Sequence, residues 1–326
     1  FIMMSHFYLN SSIGASMPEV GYNVGNYVPT YAVHRYITQV DDDTIDPQQH
    51  YPNLWELTDS EISRLAEQIN SHTCCILFLQ DQIRAQVSYY KGSRDGQMFQ
   101  RATALLRTIR VPLIVVGLGC NAFAGESPAD IAKSLSPGQR EFFVQIGAQA
   151  RCIGVRGATS VKVLSELGIA EQVAPMGCPS MFLRMNPETP IPAWKDSKTV
   201  QGLVFGKHGW VSQDINDQFT PGTYLPWTLR EWQLHIASLR VAYYKGVRMH
   251  GALVALACGV PAVVLSSDAR AREMCEFIGI PNPNSPKCAE LQTYDTYNVL
   301  YDRRWKAYDE WLSGALGIDK RYRAHP

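Results

Sequence analysis

From Thr58 onward the apolar positions alternate between two periods. In 58–70 (TDSEISRLAEQIN), Ile62, Leu65, Ala66 and Ile69 fall on one helical face, and Thr58 and Glu61 have the spacing of a capping box. A continuous apolar run, 74–79 (CCILFL), reads as a strand. Helix 97–109 and strand 111–117 repeat the unit, followed by strand 152–156, helix 158–167 stopped by Gly168, and a short strand around Val173. Ser127-Pro128 and Ser136-Pro137 each read as an N-cap followed by proline at the first helical position, the second opening helix 137–150. Strands apolar on both faces, separated by amphipathic helices, predict a parallel sheet covered on both sides.

The segment 186–198 (NPETPIPAWKDSK) is rich in proline and polar residues and reads as a linker. After it the rhythm resumes: strand 200–205, helix 228–238, strand 239–244, a helix from about His250, strand 261–265, helix 268–279 and a closing amphipathic helix 303–317. The predicted fold class is α/β, with two doubly wound, Rossmann-like domains facing a cleft. The N-terminal domain covers 1–190 and the C-terminal domain 191–326, the last helix being free to pack back on the first domain. In such sheets ligands bind beyond the carboxyl ends of the strands.

Composition narrows the function classes. Thirty basic and thirty acidic side chains among 326 residues give zero formal charge, which argues against binding nucleic acid or anionic lipid by bulk charge. With 46% hydrophobic and 18% charged residues the chain can bury a core. Its longest apolar runs, 111–119 and 251–265, are interrupted by glycine or proline and fall short of a membrane span. The first ten residues do not read as a secretory signal. Eight cysteines without a CxxC pair, most of them inside apolar runs, fit buried thiols in a reducing, cytoplasmic setting better than a disulfide framework or a structural zinc site.

Candidate chemistry concentrates in 239–265, where a strand leads through Gly246 to Arg248-Met249-His250-Gly251 and a small-residue helix. A helix N-terminus offers free N–H groups, Arg248 a planar donor fork for carboxylate or phosphate, and His250 a side chain that changes protonation near neutral pH. The bland alternative is an Arg248 paired with a structural carboxylate and a His250 satisfied in the core. The position at a strand's carboxyl end favours function, and function requires both side chains to face open space.

The blocks Gly246-x-Arg248-x-His250-Gly251, Gly259-Val260-Pro261-Ala262, Asp268-x-Arg270-x-Arg272-Glu273 and Gly279-Ile280-Pro281 resemble the polysaccharide pyruvyl transferases. So do 154–169 (GVRGATSVKVLSELGI), the turn 177–183 (GCPSMFL) and, more weakly, Asn23-Val24-Gly25-Asn26. The resemblance implies a GT-B-like fold with phosphoenolpyruvate as co-substrate and a sugar or lipid-linked oligosaccharide as acceptor. It calls for no further cofactor and no metal. A lipid-linked acceptor would bring the enzyme to the inner face of the membrane. By the same resemblance, Arg248, Met249 and His250 bind the donor, His250 is the acid/base group, and Arg156 reaches the donor from the first domain. A structural ion pair is the alternative for Arg156. Where the family carries acidic residues, this chain has Asn26 and Cys178. A nucleophilic Cys178 would need an activating base, and none is adjacent in sequence.

Asn121 in the glycine-flanked turn 117–121 and His208 and Trp210 after strand 200–205 are candidate acceptor contacts, with Asn23 and Asn26. Arg272 and Glu273 read as mainly structural. Two other functions stay open: a nucleotide-sugar glycosyltransferase on the same scaffold, and a non-catalytic glycan-binding module.

Overall fold

The computed structural model describes residues 6–10, 27–38, 53–55, 57–84, 94–122, 125–183, 191, 202–204, 243–266, 268–285, 287–288 and 294–318. These residues group into two compact units. The first draws on 1–15, 47–176 and 310–325, the second on 16–46 and 177–309. The grouping therefore places 177–183 with the second unit.

In the first unit, β1 (His6–Asn10), β2 (Cys74–Phe78), β4 (Leu113–Leu118), β6 (Ala150–Val155) and β7 (Val173–Pro175) form one sheet in the order β1-β2-β4-β6-β7, parallel throughout. Every residue of β2 and β4 is buried, as unbroken apolar runs predict for a sheet covered on both faces. The strand order rises without reversal, so among the described strands there is no switch point of the doubly wound kind. The parallel α/β expectation holds.

Helix α2 (Asp59–Asn70) starts at the expected capping box, with the Glu61 carboxylate accepting from the Thr58 N–H at 2.9 Å. Leu65, Ala66 and Ile69 are its buried stripe. Helices α3 (Arg94–Thr108) and α5 (Pro137–Gln149) meet around a ring cluster of Trp55, Phe99 and Phe142, with centroids 5.0 to 5.5 Å apart. Ser127 and Ser136 cap α4 (Pro128–Ser134) and α5, their hydroxyls accepting from Asp130 N and Gln139 N. A small parallel pair, β3 (Ile83–Arg84) with β5 (Cys120–Asn121), extends the carboxyl edge of the sheet. Helix α6 (Ala158–Glu166) ends at Gly168, which takes a positive φ of 78°.

The second unit contains α1 (Tyr27–Thr38), a 3-10 turn (Pro179–Phe182) and a three-stranded parallel sheet of β8 (Gly202–Val204), β9 (Tyr243–Gly246) and β10 (Ala262–Val264), with β9 central. Strand β9 runs on through Lys245 and Gly246, past the expected end at Tyr244. As the middle strand it pairs Lys245 with both Val204 and Val263, so backbone pairing overrides the polar side chain. Helices α7 (Met249–Ala257) and α8 (Ala269–Ile278) follow β9 and β10. Asp268 caps α8, accepting from Ala271 N at 2.7 Å, and Gly279 closes it in the left-handed conformation at φ 79°.

Helix α9 (Asp295–Leu316) begins eight residues ahead of the expected 303. Its buried face is built from Tyr297, Tyr301, Tyr308 and Leu312, so tyrosines extend a stripe that aliphatic residues alone do not show. Phe182, Tyr301, Trp305 and Tyr308 form an aromatic cluster in this unit, joined by Tyr36, whose hydroxyl donates to Asp309 Oδ1 at 2.6 Å. No described helix is long and apolar enough to cross a membrane. The expected linker 186–198 lies outside the described residues apart from Ile191, and helix 228–238 lies outside them altogether.

Candidate functional site

Three strand ends are knitted together at the carboxyl edge of the first unit's sheet. Gly119 N–H donates to Gln80 O at 2.6 Å, Ile83 N–H to Gly119 O at 3.2 Å, and Arg156 N–H to Leu118 O at 2.9 Å. Arg156 leaves the end of β6 and lays its stem across Gly119. A Cβ at Gly119 would stand 2.6 Å from Arg156 Cδ, so glycine is required here for the close approach of a side chain.

The Arg156 guanidinium is enclosed, with its side chain 1% exposed. Nη1 lies 3.9 Å from Asp81 Oδ1, while Nε and Nη2 have no hydrogen-bond partner among the described residues. Asp81 also faces Arg84, at 3.6 Å. One carboxylate thus serves two guanidinium groups, and the more buried of them keeps N–H groups that meet no acceptor among the described residues. A buried cation in this condition is a strong demand for an anion. Asn121 sits opposite Arg84 in the β3–β5 pair and is half-buried, held by strand pairing more than by a turn. The participation of Asp81 was missed by the sequence reading; its signal is a single acidic residue directly after a buried strand.

The second constellation is the corner between β9 and α7. Arg248 is the N-cap residue of α7, with extended backbone at φ −86° and ψ 112°; its side chain makes no capping bond and is half-buried. Tyr244 Oη donates to Arg248 O at 3.1 Å and holds the corner closed. Gly251 makes room for that tyrosine, since a Cβ there would lie 2.6 Å from Tyr244 Oη.

Met249 is buried and receives the Cys275 thiol at 4.0 Å against its sulfur. Its side chain belongs to the interior. What it offers an anion is its N–H in the first turn. His250 is also more enclosed than an open-cleft reading requires, at 7% exposure. Its Nε2 lies 4.0 Å from Cys178 Sγ. Arg156 therefore follows the end of β6, Arg248 and His250 stand at the head of α7, and Arg248 is the most accessible of the three. Asn23, Asn26, His208 and Trp210 lie outside the described residues.

The eight cysteines carry no disulfide, and burial pushes three of the thiols up, Cys74 to about 11 and Cys152 and Cys258 to about 12. These three stay protonated near neutral pH and act as small apolar groups. Arg270 Nε stands 3.6 Å from Asp268 Oδ1 at the start of α8, in keeping with a structural part for this block. No cluster of metal-ligating side chains occurs among the described residues.

Comparison with known proteins places this geometry. No curated protein matches the chain. Among solved structures it is similar to a functionally uncharacterized protein of Klebsiella pneumoniae subsp. pneumoniae NTUH-K2044, at 12% identity over 84% of this chain and 88% of that one. The TM-score of 0.44 is too low for that similarity to add to the assignment. The family model for polysaccharide pyruvyl transferase matches residues 95–269, a span that includes Asn121, Arg156, Cys178, Arg248 and His250. More than half of the sequence is matched, and the chain belongs to the polysaccharide pyruvyl transferase family.

Proposed function

We propose that the chain moves the enolpyruvyl group of phosphoenolpyruvate onto two hydroxyls of one sugar unit, forming a pyruvate ketal in surface-polysaccharide assembly. The observation that carries this reading is the corner at 246–250, where a strand end, a helix first turn, a guanidinium and an imidazole occupy five successive residues. The donor has a phosphate and a carboxylate, and the fork of Arg248 with the first-turn N–H groups of α7 suits either anion. Arg156, enclosed and short of acceptors, is a second cation for the same chemistry.

In this mechanism His250, as imidazolium, protonates the methylene carbon of phosphoenolpyruvate. The positive charge that develops on the neighbouring carbon is shared with the phosphate-ester oxygen. A sugar hydroxyl adds to that carbon and yields its proton to the now neutral imidazole. The carbon–oxygen bond to phosphate breaks, and inorganic phosphate leaves with the bonding pair. The second hydroxyl closes the ring and releases its proton. Two hydroxyls and one phosphoenolpyruvate thus become one ketal and one phosphate, with no change of oxidation level.

Mass spectrometry of products from phosphoenolpyruvate and a panel of glycosides with paired free hydroxyls tests the reaction. A gain of pyruvate less one water is expected. Phosphate release that ignores the acceptor, or no product with any acceptor, sinks the proposal. Thermal stabilisation by a nucleoside diphosphate and none by phosphoenolpyruvate would point to a glycosyltransferase, and saturable glycan binding without product to a binding module. His250→Ala is expected to lower kcat by about 100-fold or more, the usual worth of a general acid/base. Calorimetry should still detect weakened donor binding in that variant; unchanged turnover removes His250 from the mechanism.

A further inference from the structure

The chain emerging from β7 sets a thiol against the imidazole. Gly177 turns it at a φ of 77°, Cys178 is the N-cap residue of the 3-10 turn, and Pro179 fixes the first position of that turn. The backbone here has little freedom, because a Cβ at Gly177 would meet Phe277 Cε1 at 2.6 Å and Met181 Sδ at 3.0 Å. Cys178 is fully buried. Ser180 Oγ donates to its sulfur at 2.9 Å, and on the other side the sulfur stands 4.0 Å from His250 Nε2, the outer limit of a sulfur hydrogen bond. With the serine proton directed at the sulfur, the thiol's own proton is the one available to point at the ring.

Other titratable groups surround this pair. Tyr308 of α9 is fully buried beside Cys178, and burial holds its phenol well above the ordinary range. Tyr244 of β9 faces the first turn of α7 and donates to Arg248 O. Cys275 of α8 lies against Met249, its thiol pushed up by burial. Arg248 is the cation at the head of the helix.

Resting on the reading of His250 as the acid/base group, we propose that Cys178 is its positioning residue: against the neutral ring the thiol donates to Nε2 and leaves the ring's own proton on Nδ1, against the imidazolium its sulfur accepts from Nε2–H, and in both states it fixes the tilt of the ring. The base that sequence adjacency does not supply to Cys178 is present 72 residues further along the chain. The pair works in the direction opposite to a nucleophile and its base, since here the sulfur orients the imidazole.

Three variants of the full chain test this, Cys178→Ala, Cys178→Ser and Cys178→Asp, each with two readouts. The first needs no substrate: nitrogen-15 NMR of the His250 ring. Wild type and Cys178→Ser are expected to hold the Nδ1–H tautomer, and Cys178→Ala to relax toward Nε2–H. Cys178→Asp, with a carboxylate accepting from Nε2–H, should raise the His250 titration midpoint by about one unit or more.

The second readout is turnover. Cys178→Ala should lower kcat by about 10- to 100-fold, the scale seen when an orienting partner is lost. The donor KM should stay within about twofold, as befits a change that leaves both arginines in place, and Cys178→Ser should restore most of kcat. An unchanged tautomer and midpoint in all three variants overturns the proposal, as does a Cys178→Ala protein that melts earlier but turns over normally. A covalent adduct on Cys178 after incubation with phosphoenolpyruvate also overturns it, by making the thiol a nucleophile. If the wild type turns over no phosphoenolpyruvate, the reaction assignment fails, while the NMR arm still decides the pairing. Should Cys178→Ala not fold, the serine and aspartate variants carry the same comparison.

Discussion

Arg156 lies at the end of β6 with its guanidinium enclosed, whereas Arg248 heads α7 with its side chain half-buried. The first is fixed through its side chain: Gly119 lies beneath its stem and Asp81 stands near one nitrogen. The second is fixed through its backbone, by the helix it caps and by the Tyr244 hydroxyl on its carbonyl. Burying an ion costs several kcal/mol, and a carboxylate shared with Arg84 at 3.9 Å offsets only part of that. The first unit therefore holds an enclosed cation at a cost in stability, and the second a half-buried one that keeps part of its water.

Adding one methyl group beneath each constellation gives the largest test of this difference. Gly119→Ala places Cβ at 2.6 Å from Arg156 Cδ, in the middle of a fully buried side chain that has nowhere to move. Overpacking of this kind costs about 1–3 kcal/mol, and the displaced guanidinium should raise the donor KM by about tenfold. Gly251→Ala meets the terminal oxygen of Tyr244 and threatens one hydrogen bond, worth about 1 kcal/mol. Replacing a helix-interior glycine with alanine returns about the same amount in propensity. Thermal melting is expected to fall clearly for Gly119→Ala and little for Gly251→Ala. Equal losses would erase the distinction between the two arginines.

The elements that were legible in sequence are those fixed by neighbours along the chain. Ser127, Ser136, Thr58 and Asp268 all stand where caps were expected or one residue before a helix, because capping is a local exchange between a side chain and the N–H groups two or three residues on. Arg156 after β6, and Arg248 with His250 at the head of α7, were legible because they follow short apolar runs along the chain. The rising strand order, the Asp81–Arg156 pair and the approach of Cys178 to His250 depend on contacts between distant segments, and local periodicity carries no record of them. Gly119 shows the limit well: the sequence marks it as a place of close approach, and only the fold shows that the group approaching is Arg156.

A middle-sized test compares how the two units respond to losing a cap. Ser136→Ala removes the hydroxyl that accepts from Gln139 N at the head of α5, and Asp268→Ala the carboxylate that accepts from Ala271 N at the head of α8. Each should cost about 1 kcal/mol. If the units unfold separately, differential scanning calorimetry should show a different transition moving in each variant. A single transition that moves equally in both means that the two units melt as one.

The smallest effect separates the units by pH. His6 opens β1, paired with Cys74 of β2, and its Nε2 is buried with no hydrogen-bond partner among the described residues. Burial, helped by the charge of His72, lowers its pKa below the ordinary 6.5, because a cation there loses water and gains no acceptor. The unfolded chain therefore takes up a proton that the folded one resists. The contribution of His6 to stability is complete above 6.5 and is lost as pH falls from there toward the lowered folded value. The ring is only half-buried, so the loss should stay below about 1 kcal/mol. Melting at pH 7.5 and pH 5.5 is expected to show a smaller acid-induced drop in His6→Gln than in the wild type, with the difference confined to the transition that Ser136→Ala also moves. An identical drop in both proteins would mean that β1 admits water to His6, and that the outer edge of this sheet is held less firmly than β2 and β4 at its centre.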